Sequence, residues 1–308
     1  MVSKYKSFIR KFKDFVKRDV KLSRYCTLRV GGQADLFMDV DYPELLVDAI
    51  KLANQLHIPY FVLGGGSNIF FTESGFRGLV LHYIADNIQI DKKRQLVIVD
   101  AGCKLNHLIV ELAKNNLGGL NFLANIPGSI GGAVVGNAGC YGREIGDCLV
   151  SVDVFNVKTG RLIKIKSVDL KFSYRHSKLK ANPHLIVLRA KFRLVKDKQV
   201  NILRAIQKEK ELRLLKHPQA PSAGSFFKNP ESIAAWRLID KSRMRGVAVG
   251  GARVSYKHSN FIINYRQATA LDILKLADKI KRAVKIKTGV KLESEVRFVA
   301  QRDLIDDY

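Results

Sequence analysis

Three short segments of this chain carry side chains able to do chemistry. In Phe172-Ser173-Tyr174-Arg175-His176-Ser177 an arginine stands beside a tyrosine. A guanidinium offers parallel N–H donors, so such an arginine can grip a substrate carboxylate in bidentate fashion and polarise it. A surface arginine on a loop is the alternative. In Ala223-Gly224-Ser225-Phe226-Phe227-Lys228-Asn229-Pro230 a serine follows a glycine and precedes two phenylalanines able to exclude water. A polar turn is the other reading, and the absence of a GxSxG elbow argues against a hydrolase nucleophile at Ser225. Leu292-Glu293-Ser294-Glu295-Val296-Arg297-Phe298 alternates as a strand does, which puts Glu293 and Glu295 on one face, at a site or simply in solvent. The seven histidines show neither HExxH nor clustered ligand spacing, so no metal site is expected.

Two glycine-rich stretches point to a bound cofactor. Gly64-Gly65-Gly66-Ser67-Asn68 follows a predicted strand, and its glycines let the backbone turn sharply and approach a ligand closely. Consecutive backbone N–H groups there can cradle a pyrophosphate, although a tight turn between strands has the same composition. Neither GxxxxGK[ST] nor GxGxxG is present, since Ile69 stands where the last glycine of the dinucleotide fingerprint would fall. The second stretch runs from Ile126 through Pro127, Gly128, Ser129, Gly131, Gly132, Asn137 and Gly139 to Gly142, with six glycines in 17 residues. Small residues over that length suit backbone lying flat against a planar cofactor, with Ser129 and Asn137 offering polar contacts. A close-packed turn between core elements is the alternative. Two such loops without either dinucleotide fingerprint favour a flavin fold that is not Rossmann-like.

The elements that must position these segments are of mixed type. Apolar runs at 60–63, 79–82, 96–100, 149–157, 161–166, 185–195, 261–264 and 292–299 read as strands. Helical periodicity marks 199–215, 231–241 and 268–287, the last closed by Gly289. The composition changes near Pro218, and the expected domains are 1–195 and 196–308, packed closely because no low-complexity linker separates them. A chain of 308 residues, 47% hydrophobic, buries a sizeable core. No apolar run approaches the roughly 18 residues that cross a membrane, and no secretory signal opens the chain, so the cytoplasm is the expected compartment. The four cysteines are expected to be free thiols. Phe8, Phe12 and Phe15 among the N-terminal lysines suggest a docked helix with one apolar face rather than a membrane-surface helix.

The order of the motifs resembles that of the UDP-N-acetylenolpyruvoylglucosamine reductase family. The matching pieces are TLRVGGQAD at 27–35, LGGGSN at 63–68, IPGSIGGAVVGNAGCYG at 126–142, FSYRHS at 172–177, GSFFKNP at 224–230, KHSNFIIN at 257–264 and GVKLESEVRF at 289–298. The resemblance implies an α+β protein: an FAD-binding domain of the vanillyl-alcohol-oxidase type followed by a smaller α+β substrate domain. It implies that NADPH reduces the flavin, which then passes hydride to the enolpyruvyl β-carbon of UDP-N-acetylglucosamine enolpyruvate, yielding UDP-N-acetylmuramate for peptidoglycan. By position in the motifs, Ser225 corresponds to the proton donor to the α-carbon, and Arg175 and Glu295 to the groups that stabilise the intermediate. Glu295 serves that role only if it is protonated or donates through a partner. The resemblance also suggests that Lys216 and Asn229 contact the UDP part and that Tyr174 lies over the substrate. The short interval between Arg175 and Ser225 matches the subclass lacking an inserted substrate-covering loop. Asn121, His176 and Ser242 depart from the expected glutamate, acidic residue and glycine.

The formal charge of +25 raises a rival from another class, a nucleic-acid-binding protein. No reading motif accompanies the charge, and the lysines are spread along the whole chain. A flavin oxidase of the same superfamily is the rival among enzymes, but GSFFKNP and LESEVRF lie in the part that selects substrate. A monomer acting on small molecules, without nucleic acid, is the expectation.

Overall fold

The computed structural model describes residues 2–300, apart from Tyr141 and Ser232, together with residues 304 and 305. Ser232, inside the helix expected at 231–241, and Tyr141, inside the second glycine stretch, thus lie outside the described residues. Contacts divide the chain into two units. The first holds the chain up to Val16, Met38–Gly65 and Val80–Arg213; the second holds Lys17–Phe37, Gly66–Leu79 and the chain from Leu214 on. The boundary expected at 195/196 lies inside the first unit. Helix Gln199–Lys216 is tied there by Asn125, whose Nδ2 donates to the carbonyl of Ile206 at 3.1 Å.

In the first unit a five-stranded antiparallel sheet runs in the order Arg161–Lys166, Leu149–Asn156, Leu185–Arg193, Leu96–Asp100, Ile88–Asp91. Strand alternation sends Val152, Val154, Val97, Val99, Ala190 and Phe192 into the core. Helix Pro43–Gln55 buries Leu45, Leu46, Ala49, Ile50 and Ala53, and helix Leu105–Lys114 buries Leu108, Ile109 and Leu112. That spacing is one apolar helix face, and each buried aliphatic side chain contributes roughly 1.5–3 kcal/mol. Asp100 is the charged exception, 4% exposed, with its Oδ1 accepting from Arg189 Nε at 2.9 Å. Burial raises its pKa and the guanidinium opposes that shift. Helix Val2–Lys11 docks through Phe8, and Phe12 just beyond it is buried too, their rings 4.9 Å apart.

The second unit has its own core, in which Phe70, Phe226, Phe227, Leu238, Ile273, Leu276, Ile280 and Val296 meet. Helix Ala270–Thr288 supplies one wall. It starts in a capping box, Thr269 with Asp272, and stops at Gly289 in the left-handed conformation. Strands Ala248–Val249, Ala252–Val254 and Ile262–Asn264 form an antiparallel sheet. Strand Arg297–Val299 pairs parallel with Ile69–Phe71.

Three expected elements are shorter than their sequence patterns. The helix expected at 231–241 spans Ala235–Lys241, and Asn229 Oδ1 accepts the N–H of its first residue, Ala235, at 3.0 Å. The strand expected at 292–299 is a ladder only over Arg297–Val299. Residues 293–295 are held instead by single bonds to the Ser225 segment. The strand expected at 185–195 ends at Arg193, and Val195–Lys196 pairs separately with Leu117–Gly118.

Candidate active site

Within the first unit the two glycine stretches meet backbone to backbone. A Cβ added at Gly64 would lie 2.4 Å from Ser129 Oγ, and one added at Gly65 would lie 2.7 Å from Gly128 Cα. Only glycine permits that approach. Ser129 is buried and N-caps the short helix Ile130–Val135, its Oγ accepting from Gly132 N at 3.4 Å. The stretch is laid along residues 101–105: Gly131 N donates to Ala101 O at 2.8 Å, and Leu105 N to Gly128 O at 3.1 Å. Pro127 is exposed beside them.

Asn137 differs from the expectation that its side chain is available to a ligand. It is fully buried; Nδ2 donates to Glu144 Oε2 at 2.5 Å and to Ser173 O at 2.9 Å, while Oδ1 accepts from Gly146 N at 3.2 Å. Both amide hydrogens are used inside the protein, so Asn137 locks the glycine stretch to the Arg175 turn. Ser177 adds a second tie, donating to Val135 O at 2.7 Å.

Arg175 sits on a tight turn closed by reciprocal backbone bonds between Ser173 and His176. Its φ of +54° is a left-handed conformation that costs free energy in a non-glycine residue and recurs at functional sites. The half-buried guanidinium donates through Nη2 to Gly139 O at 3.1 Å and lies 5.3 Å from the ring centroid of Tyr174. Gly139 itself is closely packed, since a Cβ there would lie 2.3 Å from Arg143 O. The next residue, Cys140, has Arg213 Nη2 4.0 Å from its sulfur, and burial raises its pKa. Sequence reasoning passes over Arg213 and Glu209, one helical turn apart, because neither belongs to a motif. Their buried Nε and Oε2 atoms have no hydrogen-bond partner among the described residues.

The second unit assembles the other expected residues. Gly224 takes φ +79°, which turns the chain into the half-buried Ser225. Asn260 then clamps the next two residues: its O accepts from Phe226 N at 2.7 Å, its Oδ1 from Phe227 N at 2.9 Å, and its Nδ2 donates to Phe227 O at 2.8 Å. Glu295 N donates to Phe226 O at 2.9 Å, so Glu295 and Ser225 stand on neighbouring segments. Asn68 joins them, with Nδ2 donating to Glu295 O at 3.1 Å and its own O accepting from Arg297 N at 3.0 Å. Ser67 O accepts from Thr27 Oγ1 at 3.4 Å, and a Cβ at Gly66 would meet Tyr25 O. The first glycine loop is therefore shared, Gly64 and Gly65 in one unit and Gly66 to Asn68 in the other. Glu293 is exposed and pairs with Lys228 at 2.9 Å, which lowers its pKa. Asn229 is exposed, its Oδ1 accepting from the helix N–H described above, and Lys216 is exposed at the end of helix Gln199–Lys216. Asn260 is a structural residue of this site that composition did not single out, although it lies in the KHSNFIIN piece.

Comparison with known proteins gives two family matches. The model for the FAD binding domain covers residues 34–166, and that for the C-terminal domain of UDP-N-acetylenolpyruvoylglucosamine reductase covers residues 216–299. The UDP-N-acetylenolpyruvoylglucosamine reductase of Clostridium botulinum strain Okra is 37% identical over 309 residues, spanning 98% of this chain and 100% of that protein. Its counterpart in Lachnoclostridium phytofermentans is 40% identical over 287 residues, spanning 91% and 92%. The crystal structure of UDP-N-acetylenolpyruvylglucosamine reductase from Thermus caldophilus superposes with a TM-score of 0.77 at 35% identity, covering 92% of this chain and 99% of that one. The expected α+β class with an FAD-binding domain stands.

Proposed function

This chain belongs to the UDP-N-acetylenolpyruvoylglucosamine reductase family, and on that premise we propose that Ser225, Arg175 and Glu295 carry out the reduction of UDP-N-acetylglucosamine enolpyruvate to UDP-N-acetylmuramate. The enzyme is an FAD-dependent oxidoreductase. The residues present fit that cofactor: Gly64 and Gly65 lie so close to Ser129 and Gly128 that neither could carry a side chain, which keeps the two loops as small-residue backbone of the kind whose N–H groups hold phosphate. Gly64, Gly65, Gly66, Ser67, Asn68, Gly128, Ser129, Gly131, Gly132 and Gly139 would hold it, with Pro127 at the rim and Asn137 fixing the loop from behind. Bound there, FAD would supply hydride chemistry, with NADPH as the source of the two electrons.

The remaining work belongs to side chains of this chain. Hydride addition to the β-carbon pushes charge into an enolate of the substrate carboxylate. Arg175 neutralises that charge, held by Gly139 O and stacked on Tyr174. Glu295, protonated, donates a hydrogen bond to the same group. Ser225 gives its proton to the α-carbon and regains one from water, which completes the two-electron, two-proton balance. Lys216 and Asn229 bind the diphosphate and uridine. We place the enzyme in the cytoplasm as a monomer with no nucleic-acid partner; among the described residues no helix is long and apolar enough to cross a membrane.

The observation that carries this reading is the pairing of Glu295 N with Phe226 O at 2.9 Å, which supports a proton donor and an acid acting side by side. The test is the anaerobic visible spectrum. NADPH should bleach a flavin band, and UDP-N-acetylglucosamine enolpyruvate should restore it. A protein that takes up no flavin on reconstitution fails the reading, and one reoxidised by another acceptor but not by this substrate fails its substrate half.

A further inference from the structure

Strand Arg161–Lys166 ends the five-stranded sheet, so one side of it is an unpaired edge. Alternate residues of a strand share a face, and here Leu162, Lys164 and Lys166 do so. The register extends that face inwards: Lys166 is opposite Ser151, which is opposite Lys191, and Lys164 is opposite Asp153, which is opposite Arg189. The two rows are charged differently. Lys164 lies 3.6 Å from Asp153, and Arg189 is bound to Asp100, so the second row is compensated. Among the described residues Lys166 and Lys191 make no ion pair, and between them lies only the hydroxyl of Ser151.

Lys166 and Lys191 line a hollow of about 450 Å³ together with Ser151, Lys164, Ser167 and Val168. Leu162 is 68% exposed and Val168 79% exposed, one on either side of the lysines. Uncompensated cations flanked by water-exposed aliphatic side chains are what a peripheral membrane surface requires: the cations meet lipid phosphates, and the aliphatic groups enter the acyl boundary. A nucleic acid would gain nothing from Leu162 and Val168, and the patch carries no aromatic side chain on which a base could stack. An isolated phosphate would need an enclosing set of N–H donors, whereas this face is open.

We propose that this sheet edge, with Lys166 and Lys191 at its centre and Leu162 and Val168 at its flanks, is a docking surface for an anionic phospholipid bilayer. The inference does not depend on the reaction assigned above, because none of these residues belongs to the catalytic or cofactor set.

The test is flotation of the flavin-loaded full-length protein with two kinds of vesicle, phosphatidylcholine alone and phosphatidylcholine with one part in four phosphatidylglycerol. The protein should float with the anionic vesicles only, and less at high salt. A lysine near such a surface contributes roughly fivefold in partitioning, so Lys166→Gln/Lys191→Gln should bind about 25-fold more weakly. Leu162→Ser/Val168→Ser should lose binding while keeping its charge. Both double variants should turn over soluble substrate at the wild-type rate, which shows that they are folded. Should one of them fail to fold, the other decides. No binding to anionic vesicles, equal binding to neutral ones, or unchanged binding by both variants overturns the proposal. So does binding to a duplex oligonucleotide but not to vesicles, or displacement by inorganic phosphate beyond the effect of sodium chloride at equal ionic strength.

Discussion

Ser225, the proposed proton donor, illustrates how little of a side chain's position comes from the side chain itself. Its backbone is set by a left-handed glycine before it and by two phenylalanine backbones after it, both held by Asn260. Ser225→Ala should therefore leave the loop, the bound flavin and its reduction by NADPH unchanged. Reoxidation by the enolpyruvyl substrate should slow by roughly 10²–10⁴, the usual worth of a positioned proton donor. Stopped-flow at the flavin band separates the two half-reactions. Loss of flavin or normal reoxidation would remove Ser225 from its role. The clamp also has a pH limit, because Asn260 N donates to His258 Nδ1 at 3.3 Å, and only a neutral imidazole can accept there. Burial, reinforced by the nearby Arg245, lowers the pKa of His258 from its ordinary value of 6.5. Below about pH 6.5 the unfolded chain takes up a proton that the folded one refuses, so stability present above that pH is lost as pH falls towards the folded pKa. The midpoint of urea unfolding should drop between pH 7 and pH 5, and His258→Gln should flatten that dependence; an equal slope in the variant would assign the loss to other groups.

The glycine loops act as a pair, which is why a change in one should be felt through the other. In Gly65→Ala the new methyl would press on Gly128 Cα at 2.7 Å, a contact with backbone that no rotamer can relieve. Overpacking of this kind costs roughly 1–3 kcal/mol. The purified variant should carry less flavin per chain and melt at a lower temperature, whereas Gly160→Ala, with open space around its Cβ, should keep its flavin. Equal flavin content in the two would show that the loop contact is dispensable. The close approach of the glycine loops was legible in sequence because glycine density reports backbone approach directly. The alternating and helical periods likewise marked the sheet strands and helix Ala270–Thr288, whose capping box and Gly289 are local signals. Illegible were features set by distant partners. Asn137 reads like a ligand contact but is spent on Glu144, Ser173 and Gly146. Residues 292–296 alternate like a strand, yet their bonds go singly to the Ser225 segment and to Asn68. Arg213 and Cys140 are brought together from separate stretches of sequence by packing that no local pattern announces.

A formal charge of +25 belongs to the molecule rather than to any one site. It is spread over both units and is what remains after every acidic residue has been counted, including those paired locally as Asp240 with Arg245 and Glu293 with Lys228. Such an excess leaves a positive potential extending beyond single contacts, and both proposed reactants, NADPH and a UDP-linked carboxylate, are polyanions. Steering by that potential acts on encounter, and screening removes it once the Debye length falls to about 10 Å or less. Raising ionic strength should therefore lower kcat/KM for both reactants, while kcat, set after binding, stays level. A viscogen or a neutral osmolyte at matched concentration separates steering from general effects of solute. If kcat falls with salt as much as kcat/KM does, the charge acts on the bound state, through Arg175 and its neighbours, and not on approach. If neither moves, the surface charge is unrelated to turnover. Its use must then be sought in partners other than substrate, of which the anionic bilayer facing Lys166 and Lys191 is the first to try.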